Sequence, residues 1–510
     1  MQWLDDVATA AIARQPEGEI LVSSGASPSG TYHIGHLREL VTCDAIVLEL
    51  RRRGREARHI HFVDNLDGLR KIPVNIPADY DQYLGVPLCD IPAPDGSDRS
   101  YADYFVDPFI QTVRALGVEV EVLYAHEKYR SGFMAPAIER SLDRVAAARH
   151  AIETVSGRTL DEHWTPIQVM DNGRLKNRRF IDIDTAAKTV SYETPAGETA
   201  SVRYDAGEVK LDWRLDWPGR WWLLKVVVEP FGRDHATKGG SYDTGVEIAR
   251  DVYDWQAPVP VPYDFVNRAG DTKKMSASKG TGIDAAEVVK VLPPEVMRYF
   301  MLRYAPSKRL FFDEHESVVR LVDDFAELLS KPSPTESEKQ LIYLCTRGVE
   351  HRTISRVPFS HLVACYQASL RDRAKTLDAI RRTEYHTVVD EDAEIITSEI
   401  DFNDGWLELW APDEVKFSLT YSIDPSGYSD HERAFLAALA EKVSSAPADA
   451  DGSYYHNAIY ELKDTYELAP KDMFTLLYRT LIGKTSGPRA GWFLSILPRD
   501  WLINRLRLEA

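Results

Sequence analysis

ILVSSGASPSGTYHIGHLRE, residues 20–39, is the stretch whose reading decides the fold. Ile20 to Val22 is a short apolar run and reads as a strand. A loop of small residues, Ser23 to Gly30, follows. From about Gly35 to Arg53 the pattern turns helical. Leu37, Leu40, Val41, Ala45, Val47 and Leu48 supply an apolar face, and Arg51, Arg52 and Arg53 close the last turn before Gly54. Ala57 to Val63 reads as a second strand. Strand, helix and strand in this order make one parallel βαβ unit with a right-handed crossover. Ligands of such sheets sit outside the carboxyl ends of the strands, so the loop after Val22 is the place to look.

Working outward, the region from Leu88 to Tyr204 is denser in polar residues and reads as an insertion between two halves of the sheet. It holds a long helical stretch around Pro136 to Ala151 and a strand-like segment, Arg178 to Thr194. The α/β character returns near Lys210 and lasts to about Asn267. Past Pro293 the pattern is helical to the end. Within that half an acidic run (Asp390, Glu391, Asp392, Glu394, Glu399, Asp401, Asp404) reads as an exposed loop. The expected fold class is therefore α/β, a Rossmann-type parallel-sheet domain with an insertion, followed by an all-α C-terminal half.

The bulk numbers agree with a large globular chain. At 510 residues it has room for about three or four domains. A net charge of −18 argues against a sequence-blind nucleic-acid coat, but leaves room for a local basic groove. The four cysteines, Cys43, Cys89, Cys345 and Cys365, form no C-x-x-C pair and read as reduced thiols without a zinc knuckle. The N-terminal MQWLDDVATAAIARQ lacks the basic start of a signal peptide, and no segment is long enough to cross a membrane. The expectation is a soluble, cytoplasmic protein with no membrane partner.

Two elements carry chemistry. In the first, backbone N–H groups at the helix start favour anions. His33 and His36 lie three residues apart on the first turn, and they can meet charge that builds on a phosphate. Gly35 leaves room for a base to approach. A pair of metal ligands, or two unrelated histidines, would look the same in isolation. The second element is Lys273-Lys274-Met275-Ser276-Ala277-Ser278-Lys279-Gly280. Lysines on a small-residue loop suit a mobile polyphosphate clamp; the alternative is a solvated basic loop. The G-x-G-x-x-G fingerprint is absent after Val22, which speaks against a nicotinamide enzyme, and no Walker loop occurs.

The pair, with Lys274 lying 241 residues after His33, resembles the ATP-holding elements of class I aminoacyl-tRNA synthetases. Longer strings sharpen the resemblance. SGASPSG (24–30), HIGHLRE (33–39), KLDWRLDWPGRWW (210–222), EPFGRDHATKGGSYDTG (229–245), VPYDF (261–265) and GPRAGWFLSIL (487–497) are together similar to the class I lysyl-tRNA synthetases.

The resemblance implies ATP-dependent formation of lysyl-adenylate with Mg²⁺, then transfer to the terminal adenosine of tRNA(Lys). It implies His33, His36, Lys274 and Lys279 as the catalytic clamp. ATP would be held by Pro28, Ser29, Gly30, His33, Gly35, His36, Lys274, Met275, Ser276, Ser278 and Lys279. L-lysine would be held by Gly25, Ser27, Glu39, Trp213, His235 and Tyr263, with Glu39 meeting the lysine ammonium. It further implies a catalytic domain in two halves, 1–87 and 208–272, around a connective insertion, 88–207. A loop and stem-contact module would span 273–330 and a helical anticodon-binding domain 331–510, in a chain acting as a monomer.

An acid for the ammonium and aromatic walls for the stem are what such a pocket needs. Taken without the resemblance, Glu39 could pair with Arg38 or Arg70, and Trp213 could be core. Departures exist as well. Val63-Asp64-Asn65-Leu66-Asp67 stands where relatives have a Trp-Asp-Asp-Tyr-Asp-like string, Ser27 where many have Thr, and Ala277 where the wider class has Lys. Residues 168–204 contain no cysteine, so no structural zinc and no metal ligands are expected. The basic stretch Arg371, Arg373, Lys375, Arg381 and Arg382 reads either as a contact to the tRNA backbone or as a solvated helix face. A lysine-activating enzyme with a different acceptor is the rival activity. A non-catalytic tRNA binder would be expected to have lost the ATP elements.

Overall fold

A computed structural model of the chain describes residues 1–271, 275, 281–349, 354–420, 422–447 and 450–509. The chain divides into two compact units. The first comprises 1–289, 297–312 and 335–348, the second 290–296, 313–334 and 349–510.

In the first unit, helix α1 (Gln2–Arg14) leads into strand β1 (Ile20–Ala26), helix α2 (Ile34–Arg52) and strand β2 (Ala57–Val63). Helix α3 (Tyr101–Ala115) and the short strand β3 (Glu121–Tyr124) come next. Helices α4 (Ala125–Arg130), α5 (Ala135–Asp143) and α6 (Val145–Ser156) precede a run of short strands: β4 (Ile167–Asp171), β5 (Arg174–Lys176), β6 (Arg179–Asp184), β7 (Thr189–Glu193), β8 (Thr199–Arg203) and β9 (Val209–Leu211). Helix α7 (Trp213–Leu224), strand β10 (Val228–Gly232), helix α8 (Ser241–Asp251) and strand β11 (Val259–Tyr263) complete the layer.

Five strands form one sheet in the order β11-β10-β1-β2-β3, all parallel. Both faces are covered, which is why β1 and β10 are buried along most of their lengths. The Rossmann-type reading holds, and the sheet order changes direction at β1, the strand that leads into the candidate loop.

Four details differ from the sequence reading. Strand β1 does not stop at Val22. Its pairing with β2 continues to Ala26 and Val63, so Ser23, Ser24 and Gly25 are strand residues. At Gly25 the neighbouring strand leaves little room: a Cβ there would lie 3.1 Å from the carbonyl oxygen of Phe62, its partner on β2.

The insertion also starts later than Leu88. Strand β3 is the edge of the parallel sheet, pairing Ile60 with Glu121 through Val63 with Tyr124. Residues 88–124 therefore belong to the sheet layer; the polar residues of a short edge strand and of the loop before α3 hid this. The insertion proper begins only after β3. Its strands form two antiparallel sheets, β5-β4-β9 and β6-β7-β8.

The helical stretch around Pro136 to Ala151 is two helices, broken at Arg144. The segment 178–194 is a hairpin, β6 and β7, with Lys188 at φ 57 in the return.

The second unit contains no strand among its described residues. The acidic run is a loop only at its start: Asp390, Glu391 and Asp392 lie in turns, and the helix Ala393–Leu409 carries the rest, with Glu399 only 4% exposed. Acids of this run and of the same helix pair with the basic stretch. Arg371 pairs with Asp404 at 3.3 Å and also with Glu408, Arg373 pairs with Asp401, and Arg381 pairs with Asp390 at 2.7 Å. Runs that look like separate surfaces in the sequence are charge partners in the fold.

Candidate active site

Helix α2 begins at the carboxyl end of β1, and its first turn is built by its own histidines. The Gly35 N–H donates to His33 Nδ1 at 3.1 Å, and the His33 N–H donates to His36 Nδ1 at 3.1 Å. This reciprocal cap satisfies two N–H groups that a helix start leaves open. An accepting Nδ1 on His33 puts its ring proton on Nε2, while His36 Nδ1 also lies 3.2 Å from the His33 carbonyl. The rings stand 4.1 Å apart, and a Cβ on Gly35 would come within 2.8 Å of the His33 ring.

The chain returns to this spot after the second motif. Ile34 N–H donates to the Ile283 carbonyl at 3.0 Å, Ala285 N–H donates to the Tyr32 carbonyl at 3.1 Å, and His33 bridges to Asp284. Residues 283–285, just past the 273–280 stretch, are therefore tied to the start of α2. Lys274, Ser276, Ser278 and Lys279 lie outside the described residues. Met275 is 3% exposed.

Above the sheet edge lies a cavity of about 360 Å³. Gly25, Ser27, His33, Gly35, His36, Glu39, Trp213, His235 and Tyr263 all line it. Pro28, Ser29 and Gly30 do not. Glu39 sits at its wall: Gly25 N–H donates to one carboxylate oxygen at 2.9 Å, and the Tyr263 hydroxyl donates to the other. Burial pushes the Glu39 carboxyl up to about 7, against the pull of these two donors. Neither arginine considered in sequence pairs with it. Arg38 donates to the carbonyls of Asp264 at 2.6 Å, Pro306 at 2.9 Å and Lys308 at 2.7 Å, and Arg70 lies 3.9 Å from Asp67.

Helix α7 supplies the opposite wall. Asp212 caps it through the Arg214 N–H at 3.1 Å, which sets Trp213 at the first helical position. Trp213 stacks on Trp217 at 6.0 Å and meets His235 edge-on at 5.7 Å. Sequence reasoning missed the rest of this wall: Trp217, Arg220, Glu229 and Asp64 also line the cavity. Beneath them runs a buried ion network. Lys210 lies 2.9 Å from Asp67 and 3.1 Å from Asp216; Arg220 lies 3.1 Å from Asp64 and 3.7 Å from Asp216. Asn65, the departure from the family string, is structural. Its carbonyl accepts from the His126 N–H at 3.0 Å, and its amide reaches His126 Nδ1 at 2.6 Å.

The cavity therefore joins two chemistries. One side offers imidazole N–H groups at a helix start, and the other offers a carboxylate and stacked indoles. Among the described residues no group of three or more His, Cys, Asp or Glu is arranged to hold a metal. No described helix is long and apolar enough to cross a membrane.

The family model described as tRNA synthetases class I (K) matches residues 1–346. Among curated proteins, the chain is 36% identical to lysine–tRNA ligase 1 of Methanosarcina acetivorans over 533 residues, covering 99% of this chain and 98% of that one. It is 35% identical to lysine–tRNA ligase of Archaeoglobus fulgidus over 509 residues, covering 99% of each. It is 32% identical to the Thermoplasma acidophilum lysine–tRNA ligase over 513 residues, covering 99% and 98%.

Proposed function

The chain belongs to the class I lysyl-tRNA synthetases, and from that premise we infer that it is a lysine–tRNA ligase. Activation comes first. A carboxylate oxygen of lysine attacks the α-phosphorus of ATP, forming lysyl-adenylate and releasing pyrophosphate. In the second step the 2′-hydroxyl of the terminal adenosine of tRNA(Lys) takes the lysyl group, and AMP leaves. No covalent enzyme intermediate is needed, so the rate comes from positioning and charge stabilisation.

One observation carries the assignment of roles: a single cavity is lined both by His33 and His36 and by Glu39, Trp213, His235 and Tyr263. On this reading the imidazoles of His33 and His36 meet the phosphate oxygens as charge builds, and Lys274 and Lys279 clamp the polyphosphate. Pro28, Ser29, Gly30, Gly35, Met275, Ser276 and Ser278 form the rest of the nucleotide site. Glu39 offers its carboxylate to the cationic amino acid; Gly25, Ser27, Trp213, His235 and Tyr263 shape the space around it. Mg²⁺ would arrive with the phosphates of ATP. Of the remaining chain, residues 273–330 would serve the loop and the acceptor stem, and 331–510 would read the anticodon. The enzyme would act as a monomer in the cytoplasm.

The test is ATP-dependent charging of total tRNA by the purified protein across a panel of labelled amino acids, with tRNA present throughout. Lysine alone is expected to be charged. Lysine-driven ATP turnover without charging would instead point to a different acceptor, and no response to lysine would remove the pocket assignment.

A further inference from the structure

We infer that Glu229 is a second carboxylate reader of the lysine side-chain ammonium, and so a specificity-determining residue of the pocket; the inference rests on the ligase reading above. Glu229 is the second residue of β10, 5% exposed, and lines the cavity. The Trp217 indole N–H donates to one carboxylate oxygen at 2.8 Å, and the Trp221 indole N–H donates to the other. Two donors use only part of what a carboxylate accepts, about four hydrogen-bonding sites.

Among the described residues no cation forms an ion pair with Glu229. Arg220, the cation whose charge reaches it, forms its ion pairs with Asp64 and Asp216, and Lys210 of the same network pairs with Asp67 and Asp216. That network already sets three carboxylates against two cations. Glu229 and Glu39 add two more acids, each held by neutral donors. A buried anion without a cation is costly. Burial pushes the Glu229 carboxyl up to about 8, with Glu39 adding to the rise and Arg220 and the two indoles opposing it; Tyr242 and Cys43 also feel its charge. An arriving ammonium would relieve this imbalance.

The position suits a long side chain. β1 pairs with β10 through Val22 and Val228, and continuing that parallel register sets Glu229 level with Ser23 and Phe231 level with Gly25. Glu229 thus lies two strand residues, about 7 Å, deeper than the Gly25 N–H that holds Glu39. Trp213 and Trp217 stack at 6.0 Å and Phe231 meets Trp217 edge-on at 5.5 Å, so apolar rings that suit methylenes line the same cavity as both acids. The bland alternative is that Glu229 only anchors two indoles to the sheet. A neutral amide has a single oxygen and would leave one of the two indole N–H groups facing an NH2 donor.

Glu229→Gln removes the charge and one of the two indole acceptors, and the norleucine arm separates the roles: a loss confined to lysine is a lost ammonium contact, and a matching loss for norleucine is a disturbed wall. Wild-type lysine charging is the reference arm, so a failure of the ligase reading shows there, before any variant is compared. In the variant, lysine kcat/KM is expected to fall about 10- to 100-fold, the range of a lost hydrogen bond to a charged group. The KM for ATP is expected to stay within about twofold, and competition by norleucine, which has the same four side-chain carbons without the ammonium, to be unchanged. An unaltered preference for lysine over norleucine, or parallel losses for lysine and ATP, would overturn the inference. Should the variant not fold, a crystal structure of the wild-type enzyme with lysine, tRNA and a non-hydrolysable ATP analogue decides. Lysine Nζ within hydrogen-bond distance of Glu229 supports the assignment; Nζ on Glu39 alone overturns it.

Discussion

Glu39 and Tyr263 meet across the site: the hydroxyl at the end of β11 donates to the carboxylate on the second turn of α2, while Gly25 N–H holds its other oxygen at 2.9 Å. One acid is thus fixed by a helix and two strand ends. Burial raises its carboxyl from 4.5 to about 7, and both donors restrain that rise because they favour the ionised form.

Lysine binding should therefore show an acid limb. The ammonium needs a carboxylate, and the ionised fraction of Glu39 falls as pH drops through about 7. The KM for lysine should rise on the acid side, approaching tenfold per pH unit. Tyr263→Phe removes a donor to the ionised form, so the limb should move to higher pH. Glu39→Gln should weaken lysine use at every pH and leave only the limb set by Glu229, whose carboxyl burial pushes up to about 8. Charging assays between pH 6 and 9 at saturating ATP read both, and an unmoved limb in Tyr263→Phe would separate the tyrosine from the acid.

Lys274→Ala should lower kcat far more than it changes the KM for lysine. A clamp that acts on the polyphosphate as charge develops stabilises the transition state more than the ground state. A variant with normal kcat and a raised lysine KM would move Lys274 from the clamp to the amino-acid site.

The basic stretch of the helical unit carries an opposite expectation. Arg371, Arg373 and Arg381 are each paired with an acid of the neighbouring segment 390–408. Exposed pairs of this kind contribute about 0–1 kcal/mol. Arg373→Ala should therefore leave the melting temperature almost unchanged. A guanidinium already neutralised also releases few counterions, so the salt dependence of tRNA charging should not change. If Arg373 does hold a phosphate, its loss would reduce the slope of log K against log salt by about 1.

How much of the molecule is legible in its sequence differs residue by residue. The βαβ unit and the place of the ligand can be read from residues 20–63, because an apolar run, small residues and a 3.6-residue period are local signals. The pocket positions Glu39, Trp213, His235 and Tyr263 can be named only through resemblance. No local pattern brings a residue of α2 to a tyrosine 224 positions later. Glu229 is invisible as an individual: an acid inside an apolar strand reads as an interruption until the indoles of α7 are seen to close on it. The acidic run misleads for the converse reason, since its partners lie about thirty residues upstream and composition alone reads unpaired charge as solvated loop.

Lys210→Met tests the network below the pocket. Lys210 is 2% exposed and balances Asp67 and Asp216, while Arg220 is shared between Asp64 and Asp216. Its removal leaves buried carboxylates without enough positive charge, a change that costs about 3–5 kcal/mol when a buried pair is broken. Denaturant unfolding should show that loss. Adding Asp216→Asn should recover part of it, since the surplus carboxylate goes with the lysine. Additive losses in the double variant would mean the three groups do not act as a unit.

Arg38 is the last test, and it asks whether α2 and the segment beside Tyr263 are mechanically tied. Its side chain is buried on α2, between His36 and Glu39, and burial brings its pKa down to about 10. It makes its closest contacts with main-chain carbonyls. One nitrogen donates to Asp264, next to Tyr263. The other donates to Pro306 and Lys308, in the segment that follows the returning chain. A guanidinium can reach both segments at once because its donors form a rigid fork; an ammonium is a single point. Arg38→Lys keeps the charge and should satisfy one side only, leaving at least one buried carbonyl unpaired at about 1–3 kcal/mol. The melting temperature should drop accordingly. Charging should fall further than stability alone explains, because Tyr263 loses its fixed distance to Glu39. The sign of coupling is readable in a double variant: with Tyr263→Phe already present, Arg38→Lys should cost charging much less than it does alone. Equal losses in both backgrounds would show that Arg38 holds the fold without setting the geometry of the acid.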